Sequence, residues 1–359
     1  TAIAASATTN IWLPLFGNIL STCNVNVKGL NGNIIITVWT KNLVGSGTVS
    51  NTFYFSKSFI HHLKISAGIK HYSYDRTFVY VDQNKSDYFF TQVPVDFDFI
   101  LKQSNARSTI QRKIILRNIN IWQDENEYFD TGIGKKFNNY LFYQQTIFDF
   151  KNNRTFDPFG LNVVLENGNK YTKIFADLQY KFSYPNIRKG VIVRAYGGMF
   201  IYHKTNDAVY NFRLSDFSST DYLYDDIYSG RSEGTGILSK QTYLRDGGFK
   251  VFNFGESDKW LASLNATADF PGKIPLRFFI DAGTYDHANI SGQSVSYEGG
   301  ISLSIIKDVA EIYFPLFKSP NIKNQLNTIA DHKYKDEIRF MINFKLMNPF
   351  RSRDNLLKQ

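Results

Sequence analysis

The side chains that could do chemistry are few and scattered. Six histidines occur, His61, His62, His71, His203, His287 and His332. None lies in a His-Glu-x-x-His pattern, which sets two zinc ligands one helical turn apart around a glutamate base. His61 and His62 fall in a predicted turn and are expected to point to opposite sides, so no metal site is read there. Asp286 and His287 are adjacent near a strand end, the spacing of an acid–base pair. One such pair arises readily by chance, so a surface hydrolase is not the reading taken. Asp124, Glu125, Glu127 and Asp130 fall in one predicted loop, and Asp221, Asp225 and Asp226 in another. Closely spaced oxygens can hold calcium, but the spacing of a calcium-binding loop is absent, and both clusters read as solvated, salt-paired surface. No glycine-rich phosphate loop and no Gly-x-Ser-x-Gly elbow is present. No catalytic residue, cofactor-binding residue or metal ligand is therefore expected, and the chain is predicted not to be an enzyme.

One cysteine, Cys23, excludes a disulfide framework. Leu20-Ser21-Thr22-Cys23 has the look of a lipoprotein cleavage box without a basic leader, and Cys23 is read as a structural thiol. The chain opens on Thr1, as expected of a processed protein or a piece of a longer one. The net charge is +9, yet Lys and Arg form no stripe; Lys135-Lys136 and the pair Arg351 and Arg353 are small local clusters. A basic surface at lipid headgroups or a basic lumen accounts for them, and no nucleic-acid partner is expected.

The elements that must carry these residues are strands. Aromatic residues make up 16% of the chain, and Phe and Tyr favour strands. No apolar run of about 18 residues exists to form a spanning helix. Period-two alternation recurs instead. In Lys170–Tyr184 one face reads Ile174, Ala176, Leu178, Tyr180, Phe182; the other reads Lys173, Phe175, Asp177, Gln179, Lys181. In Phe89–Lys102 one face carries Val93, Val95, Phe97, Phe99 and Leu101, and the other Asp96, Asp98 and Lys102. Such runs match the roughly 9–11 residues a tilted strand needs to cross a bilayer core. Aromatics near strand ends, such as Phe53, Tyr54, Trp122 and Trp260, suit interfacial belts. A mean hydropathy of −0.28 fits, because only alternate residues of such a strand meet lipid.

The predicted fold is all-β: a closed antiparallel transmembrane β-barrel of about fourteen strands, with 12–16 allowed. The strands are read at 33–43, 49–60, 63–77, 88–102, 106–122, 139–151, 159–166, 170–184, 190–203, 258–269, 276–286, 295–306, 309–317 and 337–348. The long connections, 78–87, 123–138, 204–257, 287–294 and 318–336, all follow odd strands, which puts them on one rim. Two further candidate strands, 209–216 and 240–252, lie inside 204–257. Residues 1–30 are expected to be a linker, a plug or an extra strand, 31–350 the barrel, and 351–359 a tail. Asp96, Asp98, Lys173, Asp177, Gln179 and Lys181 are predicted to face the lumen. Val95, Phe97, Phe99, Leu178, Tyr180 and Phe182 are predicted to face lipid. If the long loops face outward, both termini are periplasmic and the location is a bacterial outer membrane.

Several stretches carry a family pattern. They are Gly190-Val-Ile-Val-Arg-Ala-Tyr-Gly-Gly-Met-Phe200, Asp221-Tyr-Leu-Tyr-Asp-Asp-Ile-Tyr-Ser-Gly-Arg231, Gln241 to Lys250, Pro275-Leu-Arg-Phe-Phe-Ile-Asp-Ala-Gly283, Tyr297-Glu-Gly-Gly-Ile-Ser-Leu303, Glu311-Ile-Tyr-Phe-Pro-Leu316, Ile338-Arg-Phe340 and Asn348-Pro-Phe350. In order and spacing, from about residue 130 onward, they resemble the C-terminal barrel region of gluzincin (zinc-aminopeptidase-like) membrane proteins of Bacteroidota. The resemblance implies a membrane-anchored peptidase, but the family's zinc-binding residues are absent, so no catalytic residue carries over. The expected function is an outer-membrane barrel acting as anchor or scaffold for a periplasmic peptidase-like domain or an outer-membrane assembly. The alternative is a porin-like channel for small solutes. Expected partners are outer-membrane lipids and other outer-membrane or periplasmic proteins.

Overall fold

Residues that alternate between Phe, Tyr, Ile or Val and polar types bury one face and present the other, so their backbones pair side by side. A computed structural model describes residues 5–8, 19–27, 30–39, 42–55, 58–75, 85–103, 108–129, 132–185, 189–205, 207–217, 220–229, 236–251, 255–272, 274–287, 290–306, 309–329 and 332–343. The strands are β1 (Ala5–Thr8), β2 (Ile19–Val27), β3 (Leu30–Trp39), β4 (Asn42–Tyr54), β5 (Ile60–Asp75), β6 (Lys85–Leu101), β7 (Ile110–Phe129), β8 (Gly132–Asn152) and β9 (Phe159–Asn167). They continue as β10 (Tyr171–Ser183), β11 (Gly190–His203), β12 (Phe212–Arg213), β13 (Glu256–Ser257), β14 (Trp260–Asp269), β15 (Leu276–His287), β16 (Ile290–Ile306), β17 (Ala310–Lys318) and β18 (Arg339–Ile342). Among the described residues one 16-stranded sheet runs in chain order from β1 to β11 and then from β14 to β18, and β12 pairs only with β13. Every pairing with a resolved register is antiparallel, as for β14 with β15 and β15 with β16. The fold is all-β, built on one large antiparallel sheet.

The sheet differs from the sequence expectation in four places, each for a local reason. The first 30 residues supply two strands, β1 and β2, which makes the count sixteen. β4 begins at Asn42, and Gly45-Ser46-Gly47 lies within it rather than in the predicted connection. Those residues pair with Ile36, Ile35 and Ile34 on one side and His71, Lys70 and Ile69 on the other. A glycine in a strand loses packing but keeps both ladder hydrogen bonds. The predicted loops 123–138 and 287–294 are largely strand, since β7 and β8 reach 20 and 21 residues and β16 begins at Ile290. Asp124, Glu125 and Glu127 thus belong to β7, in register with Phe89, Tyr88 and Ser86. Finally, 318–336 contains two helices, α1 (Pro320–Asn327) and α2 (Tyr334–Glu337). The predicted tail, 351–359, lies outside the described residues.

The predicted hairpin of 209–216 with 240–252 does not form. Among the described residues of this segment only Phe212–Arg213 pairs in a ladder, and with Glu256–Ser257; Ser215 and Phe249 share an isolated parallel bridge. Phe212, Leu214, Phe249 and Val251 of the segment between β11 and β14 instead pack by their side chains.

The chain divides into two compact units. The first holds residues 1–150, 164–172 and 232–234. There a polar chain crosses one face of the sheet. Arg117 pairs with Asp96 at 3.4 Å and donates to Gln145 at 3.3 Å. Gln145 and Tyr171 each donate to Glu166 at 2.6 Å.

The second unit holds 151–163, 173–231 and 235–359. Its strands have one covered face and one open face. On β14, Leu261, Ser263, Asn265 and Asp269 are buried while Leu264 is exposed; on β15, Arg277, Phe279, Asp281, Gly283 and Tyr285 are buried while Phe278 and Ile280 are exposed. The core lies on the covered face. Phe212, Leu214, Phe249 and Val251 of the inserted segment are fully buried against Tyr196, Leu261 and Tyr285, with Ile322 and Leu326 of α1. Each such side chain contributes roughly 1.5–3 kcal/mol of burial, which is enough to hold the segment in place.

Candidate functional site

The register lines up a polar row across the covered face of the second unit. Arg194 of β11 is opposite Asn265 of β14, Asn265 opposite Asp281 of β15, and Asp281 opposite Glu298 of β16. Asp281 and Glu298 are both fully buried. Two carboxylates placed directly opposite repel, so the wall alone is unstable at this point.

The inserted segment supplies what the wall lacks. Lys250, itself buried, sets its Nζ 2.7 and 2.9 Å from the two oxygens of Asp281. The backbone N–H groups of Lys250 and Val251 donate to Glu298 at 2.5 and 3.0 Å. Asn265 donates to Asp281 and to the carbonyl of Gly247, both at 2.9 Å. Arg194 pairs with Asp177 at 2.6 Å and donates to Asn265 at 3.0 Å. A charge-assisted network of this kind is strong only when every member is paired.

The approach is close enough to demand glycine. Gly248 has φ +68°, and a Cβ there would lie 2.6 Å from Arg194 Nη1 and 3.0 Å from Asn265 Oδ1. Gly248→Ala is therefore expected to cost about 1–3 kcal/mol through backbone strain alone, with displacement of Arg194 added to it. A urea titration of the folded protein in detergent checks this; an unchanged midpoint would contradict the close fit.

A second group of contacts holds the rest of the segment. Arg245 pairs with Asp226 at 2.7 Å and Asp221 at 2.8 Å. Asp216 accepts from Tyr228, from Thr220 at 2.8 Å and from the Tyr243 N–H at 3.1 Å. Burial pushes its carboxyl above the usual carboxylate range, against the pull of Arg245 and these hydrogen bonds. Arg339 of β18 donates to the Asp216 carbonyl at 2.6 Å, and the Thr242 N–H donates to the Phe340 carbonyl at 2.9 Å. The segment is thus tied to β11, β14, β15, β16 and β18.

The residues singled out from sequence fall as follows. Asp177 pairs with Arg194. Lys173 is buried, donates to the Tyr210 carbonyl at 3.2 Å and lies 5.0 Å from the ring centres of Phe212 and Tyr222. Gln179 and Lys181 line a cavity of about 650 Å³. Asp96 pairs with Arg117, and Asp98 stands opposite Lys64. Leu178 and Phe182 are exposed, and Tyr180 lies 4.6 Å from Phe182 between ring centres. Val95, Phe97 and Phe99 are half-buried.

His61 and His62 do not point apart. Their Nδ1 atoms are 2.7 Å from each other, at the place where the β5–β6 register shifts between Ile60 and His62. Asp286 pairs with Lys259 at 3.2 Å. Among the described residues no group of three or more metal-ligating side chains occurs.

Sequence reasoning missed Arg194, Lys250, Asp281, Glu298 and Arg339. The same alternation that marked Asp177 also places Arg194, Asp281, Glu298 and Arg339 on strands, so four of the five were within reach as strand positions. Lys250 was not, because it lies in a segment with no period.

No family model matches the chain, and no curated protein matches it. Solved structures do. CdiB from Acinetobacter baumannii is 11% identical with a TM-score of 0.46, over 86% of this chain and 55% of that one. BamA from Haemophilus ducreyi, solved without POTRA domains 1–3, is 12% identical with a TM-score of 0.48, over 90% of this chain and 66% of that one. The chain thus spans little more than half of the first and just under two thirds of the second. At such identities and scores the likeness carries nothing about function.

Proposed function

We propose that the chain is an outer-membrane β-barrel in which the described parts of 204–259 cover the charged face of the second unit's strands, and that it serves as a membrane anchor or scaffold rather than an open channel. One observation carries this reading: polarity is inverted relative to a water-soluble sheet protein. On the second unit's strands the charged residues Arg194, Arg277, Asp281, Glu298, Glu311 and Arg339 are buried. The large apolar residues Leu264, Phe278, Ile280, Val295, Ile305 and Leu316 are exposed, at 48–65% of their surface. Water rewards the opposite arrangement; acyl chains reward this one.

In lipid every backbone group must find a partner, so the spanning sheet has to close, first strand to last. With the long connections facing outward, both described ends of the sheet lie on the periplasmic side. The cargo is a periplasmic peptidase-like domain or another outer-membrane or periplasmic protein, as the gluzincin resemblance implies. The protein is expected to need detergent to remain monodisperse; solubility in plain buffer would overturn the membrane reading.

The porin-like alternative makes a different electrical prediction. Reconstituted in planar bilayers, the whole chain is expected to be silent, because the segment is tied to five strands. A variant lacking 207–251, bridged by a short Gly-Ser linker, is expected to conduct. Steady ion flow through the unaltered protein would restore the channel reading.

A further inference from the structure

The open face of the second unit's strands is not evenly filled. Between β14 and β17 it carries an apolar groove of about 300 Å³. Ala266 and Ala268 line it with single methyl groups, and Phe278, Ile280, Leu316 and Phe317 with large exposed side chains. Register explains the gap. Ala266 stands opposite Ile280 and Ala268 opposite Phe278, so each large side chain has only a methyl beside it on β14. On the other flank Ile280 stands opposite Gly299, which brings no side chain at all. There the next ladder slips: Gly299 pairs with Phe317 and Gly300 with Pro315, leaving Leu316 as the extra residue of a β-bulge. A Cβ on Gly299 would run into the Phe317 ring, so the glycine is what lets that ring lie down beside the groove.

A cation stands at the rim of the same strands. Val191 of β11 pairs with Ala268, so Lys189, just before it, lies beside the end of the groove. Lys189 Nζ donates to the carbonyls of Phe270 and Ile274 at 3.0 and 3.1 Å. Phe270 is two residues beyond Ala268, about 7 Å along a strand. An ammonium has three donors, so one is left over. No carboxylate among the described residues takes it. At the same rim the Tyr184 hydroxyl donates to the Asp269 carbonyl at 2.9 Å. Tyrosine and lysine side by side at a strand end suit the boundary between headgroups and acyl chains.

We propose that the groove seats one acyl chain of an anionic phospholipid whose phosphate is held by Lys189. The proposal rests on the membrane reading, in which acyl chains are the solvent of this face. Within a bilayer apolar burial alone singles out no site, because every lipid-facing side chain already meets hydrocarbon. Two features single out this one. An unfilled groove forfeits dispersion contacts that a chain lying in it regains. An ammonium at headgroup level attracts an anionic phosphate. A second copy of this chain would need an apolar ridge of matching shape and an acid placed at the rim; a phospholipid carries both in one flexible molecule.

The test uses the full chain in non-ionic detergent, stripped of lipid and then titrated with phosphatidylglycerol or phosphatidylcholine of identical acyl chains. Native mass spectrometry counts the lipid retained, and insertion into vesicles is measured on the same preparations. Wild type is expected to retain one phosphatidylglycerol per chain, with a preference over phosphatidylcholine of roughly fivefold, the worth of one lysine at an anionic surface. Ala268→Phe fills the groove with an apolar group suited to a lipid-facing position; it is expected to insert normally and to weaken retention about tenfold. Lys189→Gln is expected to erase the preference between the two lipids, and Lys189→Arg to keep it. Retention that ignores Ala268→Phe, or a preference that survives Lys189→Gln, overturns the proposal. So does a detergent-stable dimer that Ala268→Phe disperses, since a second copy then fills the groove. Normal insertion of wild type with no lipid retained overturns this proposal alone, whereas failure to insert overturns the membrane reading and the proposal with it.

Discussion

Replacing Lys250 with methionine is expected to release the inserted segment from the sheet. Methionine keeps the length and bulk of the side chain but removes the charge that sits 2.7 Å from Asp281. Asp281 and Glu298 would then face each other, fully buried, across the β15–β16 ladder. Breaking a buried ion pair from one side costs about 3–5 kcal/mol, mostly through the charge left behind. The expected readout is a lower urea midpoint in detergent and intermittent conductance in bilayers. Adding Asp281→Leu to Lys250→Met should recover much of the loss, since an apolar pair of similar volume tolerates the same position. If the single variant is as stable and as silent as wild type, the clamp does not hold the segment.

The other large effect separates neighbouring residues by face. Leu178→Arg is expected to cost about 2–4 kcal/mol in lipid if its level is near the bilayer centre, and to depress insertion into vesicles. Gln179→Arg, one residue on, is expected to insert normally, because its side chain lines the aqueous cavity. In a water-soluble protein the order would differ: an exposed leucine tolerates arginine within about 0.5 kcal/mol. Equal insertion of both variants would therefore refute the facing assignment for β10. The fraction protected from external protease after refolding with vesicles measures it.

The segment's sequence already contains the reasons it can insert. Asp246 and Gly248 both adopt left-handed backbone, at φ +40° and +68°, which turns the chain sharply next to Phe249. Phe212, Leu214, Phe249 and Val251 then reach the core together. Read along the chain, these residues alternate for too short a stretch to separate from an extra hairpin. The hairpin reading treated them as ladder-forming strands. Their hydrogen bonds go elsewhere: the Phe249 N–H donates to the Leu214 carbonyl, but the next N–H groups go to Glu298.

Local period and composition determined that the chain is all-β, that its strands are long, and which residues share a face. That works because strand geometry repeats every two residues regardless of what lies beyond. Tertiary structure alone decided that Phe212, Leu214, Phe249, Lys250 and Val251 lie on the charged face of the second unit's strands, and which carboxylates they satisfy. Lys250 meets Asp281 across 31 positions, and Arg339 meets Asp216 across 123. Contacts at that separation follow from how the wall's charges are stacked by register, and no single stretch of chain contains that information.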